Sequence, residues 1–304
     1  MKVKKISPGN LAIIYIIISA FCFACMNLFV RLSGDLPSMQ KSFFRNFVAV
    51  IFALIILLKN KNSFRWKKGS LPFLFLRSAI GTLGIVCNFY AIDHIPLADA
   101  SILNKMSPFF VIIFSLIIIK EKLSLLQGAI VFLAFSGALL VIKPSFSNTE
   151  LLPSALGLFG GMCAGFAYTM VRILGKKGEN GSLIVFFFSG FSCITMLPFL
   201  IFDFHPMSLF QLLMLLGAGL SAAGGQFSIT AAYCHAPAKE ISVYDYSQII
   251  FATMLGLFIL GEMPDLLSIA GYLIIITAAI LMFMYNNKKG FFVAKNEKKN
   301  TDSK

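Results

Sequence analysis

The chain has 304 residues and a formal net charge of +13, and apolar residues make up 58% of it. Charged residues account for only 13% and the mean hydropathy is +0.85, whereas a soluble domain carries about 25% charged and about 45–50% apolar residues. These values exclude a soluble globular protein. The sequence therefore predicts an integral membrane protein, with no segment long and polar enough for a soluble catalytic domain.

Apolar segments separated by proline, glycine and charged residues predict ten membrane-spanning helices, since one span needs about 20 mostly apolar residues. The basic amino terminus leads directly into the first segment, which is longer than the core of a signal peptide and is interpreted as a retained helix. The predicted spans are 11–32, 38–58, 71–92, 97–119, 124–142, 152–174, 182–202, 209–233, 238–260 and 266–285.

Lysine and arginine residues collect on one side of these spans. With the amino terminus placed in the cytoplasm, the opposite side holds little positive charge beyond Arg31, Lys41 and Lys143. This bias follows the positive-inside rule, and an even number of spans places both termini in the cytoplasm. The positive charge is thus a topology signal. Nucleic acid is not expected as a partner, because the basic tail is short and has no interleaved aromatic residues.

An internal repeat relates the two halves of the chain at a constant offset of 141 positions. It predicts a first five-helix repeat at 1–145, a second at 146–287 and a cytoplasmic basic tail at 288–304. Because five is odd, the second repeat is inverted in the membrane, an architecture that recurs in secondary transporters. Matched pairs include Arg31 and Arg172, His94 and His235, Pro96 and Pro237, and Glu121 and Glu262.

Small residues recur at every fourth position of the sixth span, at Gly157, Gly161 and Gly165. Such a stripe is typical of membrane helices that pack closely against a neighbour. We therefore expect this face of the span to contact another helix.

An aromatic–Ala pair, a Pro turn and an Ala-Asp-Ala-Ser run lie in 88–103, followed by Ser107-Pro108-Phe109 and by Lys120-Glu121. The second half ends its equivalent segment in Gly261-Glu262, whereas Lys120 replaces the glycine in the first half. This pattern resembles the EamA-type members of the drug/metabolite transporter superfamily. The resemblance implies a fold in which spans one to four and six to nine surround a cavity and spans five and ten brace the outside.

The same resemblance implies transport in a bacterial plasma membrane without ATP and without a cofactor. Substrates of the superfamily include amino acids, nucleosides, vitamins, S-adenosylmethionine and toxic organic compounds. The leading hypothesis is a secondary transporter of a small polar or zwitterionic metabolite, such as an amino acid or derivative, in the export direction. The alternatives are uptake of S-adenosylmethionine, a nucleoside or a vitamin by the same fold, and a lipid flippase. No catalytic residues and no metal site are predicted.

Polar side chains inside spans are the candidate substrate-binding residues, because a charge at mid-bilayer costs about 2.5–3.5 kcal/mol and usually faces a cavity or a partner. Lys105 and Asp245 are expected at equivalent depths, where they either bind the acid and amine groups of a substrate or pair with each other. Arg45 has no arginine at its counterpart Phe186, which favours a substrate-facing role, whereas Arg77 is expected to snorkel to the cytoplasmic interface. The remaining candidates are Asn27, Asn88, Tyr90, Asn104, Tyr168, Gln226, Tyr244 and Gln248.

Four further residues are candidates for gating or for coupling to protons or a counter-substrate. Glu121 and Glu262 are expected at helix ends, where a solvated terminus is the alternative explanation. His94 and His235 adjoin the Pro turns and are candidates because histidine is the residue type most often used for proton transfer, and a role in an interfacial loop is their alternative.

Overall fold

A computed structural model describes residues 8–59, 64–118, 124–142, 150–236, 241 and 244–301, in which every regular element is a helix. Nine described segments are long and apolar enough to span a membrane, and the shorter apolar segment Ser247–Leu260 makes the tenth. This confirms the all-helical membrane fold. The helices are α1 (Pro8–Leu32), α2 (Ser38–Lys59), α3 (Leu71–His94), α4 (Leu97–Asn104), α5 (Ser107–Ile118), α6 (Leu125–Ile142), α7 (Leu151–Lys176), α8 (Gly181–Phe202), α9 (Leu209–His235), α10 (Ser247–Leu255) and α11 (Leu266–Thr301).

The last helix is longer than the predicted tenth span, which was expected to end at 285 and to be followed by a tail. Its apolar, membrane-length part is Leu266–Tyr285, and the backbone then stays helical to Thr301. Lysine, which occurs five times in this continuation, is a good helix former and allows it.

The fourth span, which the sequence predicted as one continuous helix over 97–119, is broken. Its first part, α4, ends at Asn104, and α5 begins at Ser107. Pro108 explains the break, because a proline ring inside a helix clashes with the carbonyl group four residues earlier, here that of Asn104. The backbone of Lys105 therefore lies outside both helices.

The ninth span is broken at the equivalent place. A turn at Tyr246, the repeat counterpart of Lys105, precedes α10. No proline lies here, but the Ser247 hydroxyl group donates to the Tyr244 carbonyl oxygen at 2.7 Å, and such local bonds compete with regular helix. Both halves thus contain one discontinuous helix, and the two breaks coincide under the repeat.

The largest helix–helix interfaces join the two halves of the chain. Helix α1 packs on α9, α3 on α7, α2 on α8 and α6 on α11. Under the 141-residue offset, α1 corresponds to α7 and α3 to α9, so the pair of α1 and α9 is equivalent to the pair of α7 and α3. Likewise α2 corresponds to α8 and α6 to α11, so each of these two pairs is equivalent to itself, as a pseudo-two-fold axis requires. Helices α6 and α11 pack mainly on each other, which is the bracing position that the family resemblance implied.

Helix α7 supports the break in the fourth span through its glycine stripe. A Cβ atom on Gly161 would lie 2.6 Å from the Leu103 carbonyl oxygen and 2.9 Å from that of Asn104. One turn later, a Cβ atom on Gly165 would lie 2.7 Å from the Ser107 carbonyl oxygen. The stripe therefore lets the backbone on both sides of the break lie directly against α7.

Candidate substrate-binding site

A cavity of about 70 Å³ lies between the two halves, beside the break in the fourth span. It has room for a few water molecules, whereas ligand pockets usually measure about 300–1,000 Å³. The helices must therefore separate for a metabolite to bind. The predicted residues that line it are Asn27, Arg45, Asn88, Asn104, Lys105, Tyr168, Gln226 and Gln248, and they are joined by Phe23, Arg77 and Phe188.

Lys105 and Asp245 form an ion pair between the halves. Lys105 Nζ lies 2.7 Å from Asp245 Oδ1, and the side chains are 3% and 0% exposed. Each residue lies next to the break in its own span, so the two irregular backbone segments bring the opposite charges together. Asp245 Oδ2 has no hydrogen-bond partner within the described residues. The carboxylate therefore pairs through one oxygen only and is fully buried, behind the cavity lining rather than in it.

Arg77 is buried in the cavity wall and does not snorkel to the interface as expected. The residue is 2% exposed, and its Cζ atom lies 3.5 Å from the centroid of the Phe188 ring. The reason is that Arg77 lies on the side of α3 that packs against the second half of the chain. The sequence did contain a signal for a buried role of Arg77, the same one that was used for Arg45. The repeat counterpart of Arg77 is not an arginine but Ala218.

Arg45 lies on the same aromatic ring, with its Cζ atom 5.6 Å from the Phe188 centroid. It is 2% exposed, and its Nη1 group donates to Asn46 Oδ1 at 2.6 Å. Across the described residues, neither Arg45 nor Arg77 forms a salt bridge with a carboxylate. Arg45 Nε, Arg77 Nε and Arg77 Nη1 are buried without a hydrogen-bond partner there.

The contact with Phe188 does not offset the free-energy cost of burying Arg45 and Arg77. A desolvated cation–π contact contributes about 2 kcal/mol, whereas burial of an ion costs several kcal/mol even after the protein relaxes. A guanidinium group stacked on Phe188 without an anion is therefore destabilising on balance. Among the described residues, Arg45 and Arg77 thus keep their positive charges without a partner carboxylate.

The other polar residues of the cavity supply hydrogen-bond acceptors. Asn27 donates through Nδ2 to Ser101 Oγ at 3.3 Å, but its Oδ1 atom has no partner among the described residues. Asn88 Oδ1 and Gln248 Oε1 are likewise buried without a partner there. Gln226 Nε2 donates to Thr230 Oγ1 at 3.2 Å. The cavity thus combines cationic donors with neutral acceptors, which suits a metabolite that carries both acid and donor groups.

Two of the predicted aromatic residues lie away from the cavity. Tyr90 stacks on His94 with ring centroids 4.1 Å apart, and Tyr244 packs edge-on against Phe283 at 5.8 Å. Neither belongs to the cavity lining. Tyr168 does line it and stacks on Tyr233 at 5.1 Å. The sequence identified the aromatic residues within spans but not the helix faces on which they lie.

The two predicted histidines occupy equivalent helix ends. His94 Nδ1 lies 2.7 Å from the Tyr90 carbonyl oxygen, and His235 Nδ1 lies 2.7 Å from that of Ala231. Both side chains are largely exposed. The arrangement is repeated in the two halves and favours a local role at the helix end over proton coupling.

Glu262 links three segments at the membrane face where α1 ends. Its Oε1 atom lies 2.7 Å from Arg31 Nη2, and its Oε2 atom accepts a hydrogen bond of 2.8 Å from the Leu97 amide group. Arg31 also donates to the Ile92 carbonyl oxygen. These contacts tie the end of α1, the start of α4 and the segment after the ninth span together. Glu121, the repeat counterpart of Glu262, lies outside the described residues.

A second polar contact joins the halves at the same face. Gln40 Nε2 donates to the His205 carbonyl oxygen at 2.9 Å, and the His205 amide group donates to Gln40 Oε1 at 3.0 Å. Within one half, the buried Lys41 pairs with Asp93 at 2.6 Å. This face is therefore closed by ion pairs and hydrogen bonds in the conformation described.

Comparisons with known proteins agree with this architecture. The chain is 34% identical to the pseudopaline exporter CntI of Pseudomonas aeruginosa over 90% of this chain and 95% of that protein. It is 27% identical to solute carrier family 35 member G1 of Mus musculus, over 90% and 78% of the two chains. It is 26% identical to the S-adenosylmethionine uptake transporter of Rickettsia prowazekii, over 85% and 86%.

A solved structure has the same fold at a TM-score of 0.68 and 12% sequence identity, with 92% of this chain and 98% of that chain covered. The model of the EamA-like transporter family matches residues 10–143 and again residues 153–284, once in each half. The protein is thus a multi-pass membrane transporter of small metabolites, and the chain belongs to the EamA-like transporter family of the drug/metabolite transporter superfamily.

Proposed function

We propose that this transporter exports a small polar metabolite derived from an amino acid across the bacterial plasma membrane, by alternating access and with both termini in the cytoplasm. The observation that carries the proposal is the cavity at the interface of the halves, which is lined by polar residues and has in its wall Lys105, the partner of the buried Asp245. The export direction is supported by the relative named as an exporter, which is more similar to this chain than the relative named as an uptake transporter.

The ion pair suggests how binding opens the site. Lys105 and Asp245 hold the two discontinuous helices together across the interface of the halves. An acid group of the substrate competes for Lys105, and an amine of the substrate binds the free oxygen of Asp245. Loss of the direct pair then allows the halves to move apart at the breaks, where each span is divided into two helices that can change their relative angle.

Counterflow exchange in proteoliposomes tests this function. The purified protein is loaded with unlabelled compounds and offered labelled pools of amino acids, nucleosides and S-adenosylmethionine. We expect exchange of the amino-acid pool, and loss of exchange in Lys105→Ala, because the substrate acid group and Asp245 both lose their cation. Lys59→Gln is the control, since it removes an exposed positive charge at the end of α2.

Other outcomes of this assay contradict the proposal. Exchange restricted to S-adenosylmethionine or to nucleosides would replace the amino-acid substrate by one of those classes. Movement of labelled lipid across the bilayer without exchange of any pool would identify a flippase instead.

Glu262→Gln is expected to loosen the start of α4. A hydrogen bond to a charged group contributes about 1.5–3 kcal/mol, so the Leu97 amide group should exchange its hydrogen roughly ten- to one-hundred-fold faster. Hydrogen–deuterium exchange read by mass spectrometry over the first turn of α4 measures the change. Glu179→Gln is the matched control, because Glu179 accepts a backbone hydrogen bond from Lys67 at the opposite membrane face. Equal exchange in wild type and Glu262→Gln would rule out this closing role.

A further inference from the structure

We propose that the substrate is an anion whose acid group, a carboxylate or a phosphate, binds between Arg45 and Arg77. This inference rests on the transport function proposed above and specifies the chemical class of the metabolite. It requires a substrate that is more negative than a simple zwitterion. The acid group held by the arginines is thus a second one, in addition to the acid and amine groups that the proposed function assigns to Lys105 and Asp245.

The cavity has an excess of positive charge. The described ionic groups that line it are the three cations Arg45, Arg77 and Lys105, and the anion Asp245, which does not line the cavity, pairs with Lys105. Two positive charges therefore remain without a counter-charge among the described residues, on arginines that are each only 2% exposed. A zwitterionic substrate leaves this excess unchanged, whereas a substrate with a net negative charge neutralises it.

The two guanidinium groups also have hydrogen-bond donors that no described residue uses. Both guanidinium groups lie beside the Phe188 ring and keep three buried N–H-bearing nitrogen atoms without partners in the described part of the chain. A planar guanidinium group presents paired donors that match the two oxygens of a carboxylate or of a phosphate. Lys105, by contrast, already donates to Asp245 at 2.7 Å. An incoming acid group thus finds free donors at the arginines first.

Gly81 provides the space that the Arg77 guanidinium group occupies. Gly81 follows Arg77 by one helical turn, and a Cβ atom there would overlap Arg77 Nη1 and lie 3.1 Å from Phe188 Cε2. An alanine at this position displaces the end of the arginine side chain while every charge of the cavity is kept. This makes Gly81→Ala a variant that separates the placement of Arg77 from its charge.

Ligand-induced thermal stabilisation of the purified protein in detergent tests the proposal. The carboxylate probes are glutamate and citrate, and the phosphate probe is glycerol 3-phosphate. The counterparts without net charge are glutamine, a zwitterion that lacks the side-chain acid of glutamate, and glycerol. We expect at least one acid to raise the melting temperature at a concentration roughly tenfold or more below that of its counterpart without net charge. A response to carboxylates alone or to the phosphate alone identifies which oxyanion the site takes.

The variants assign any stabilisation to the arginines. Arg45→Gln and Arg77→Gln should each need roughly tenfold or more of the acid for the same stabilisation, whereas Lys59→Gln should respond as wild type does. Gly81→Ala covers the case in which either glutamine variant fails to fold, and it should weaken the acid response in the same direction. An unchanged response in Gly81→Ala and in a folded arginine variant overturns the site.

Failure of this inference is distinguishable from failure of the proposed function. If the pooled counterflow assay shows exchange but no acid binds better than its counterpart without net charge, the anion site is wrong and transport stands. If acids stabilise the wild type through Arg45 and Arg77 but no pool exchanges, the anion site stands and the transport proposal is wrong.

Discussion

Asp245→Asn is expected to lower the free energy of unfolding by about 3–5 kcal/mol and to abolish exchange. The substitution leaves the Lys105 ammonium group buried, with its carboxylate partner replaced by a neutral amide. Removal of one partner of a buried pair is costly for this reason, whereas the intact pair contributes little net stability. Denaturant unfolding in detergent micelles measures the stability, and counterflow in proteoliposomes measures the function.

The double variant Lys105→Met with Asp245→Asn separates stability from function. Because positions 105 and 245 then both carry neutral side chains, no buried charge is left unpaired by the substitutions. The free energy of unfolding of the double variant should therefore return to within about 1 kcal/mol of wild type or exceed it. Exchange should stay absent, since neither the acid nor the amine of a substrate finds its partner. A double variant that exchanges substrate at the wild-type rate would show that the pair only holds the halves together.

Gly161→Ala is expected to destabilise the protein by about 1–3 kcal/mol and to reduce exchange strongly. The added methyl group would lie 2.6 Å from the Leu103 carbonyl oxygen and 2.9 Å from that of Asn104. Both contacts are with backbone atoms, which cannot rotate away as a side chain does. The fourth span must therefore shift at its break, and Lys105 moves relative to Asp245. Thermal unfolding and counterflow measure the two effects.

Gly190→Ala is the matched control for this substitution. A Cβ atom on Gly190 would lie 3.8 Å from Val50 Cγ2, an ordinary contact distance. Alanine in place of glycine inside a helix stabilises it by roughly 0.5–1 kcal/mol, so this variant should be at least as stable as wild type. If Gly161→Ala behaved in the same way as Gly190→Ala, α7 would not be the support of the break.

Much of the fold could be predicted from the sequence, because spans are long apolar segments and the repeat carries rare residues in one register. The breaks were harder to predict. Pro108 marks the first break, yet prolines are tolerated in many membrane helices. The second break rests on Ser247, whose hydroxyl bond to Tyr244 depends on the local backbone. Nothing in the order of residue types distinguishes that serine from one in a regular helix.

Residues of the candidate site could be predicted from the sequence where their charge alone requires burial inside the protein. The prediction was less accurate for residues that reach the cavity only if they lie on the correct face of their helix. Lys105, Asp245 and Arg45 are costly anywhere in a span, so their burial follows from the energetics of the bilayer. Arg77 lies within snorkelling distance of a membrane face, and only the packing of α3 on α7 and α8 prevents that escape. Tyr90 is an amphipathic residue in an apolar helix, and such a helix has no distinct polar face to indicate where its aromatic residues point.

The pairing of helices between the halves has a consequence for the order of membrane insertion. The main packing partner of α1 is α9, and Lys105 meets its carboxylate only when Asp245, 140 positions later, has entered the bilayer. At a synthesis rate of about 5–20 residues per second, the ammonium group must wait about 7–28 s for that partner. The first half of the chain is thus held in the membrane with Lys105 unpaired, and its final packing begins only after most of the second half has been synthesised.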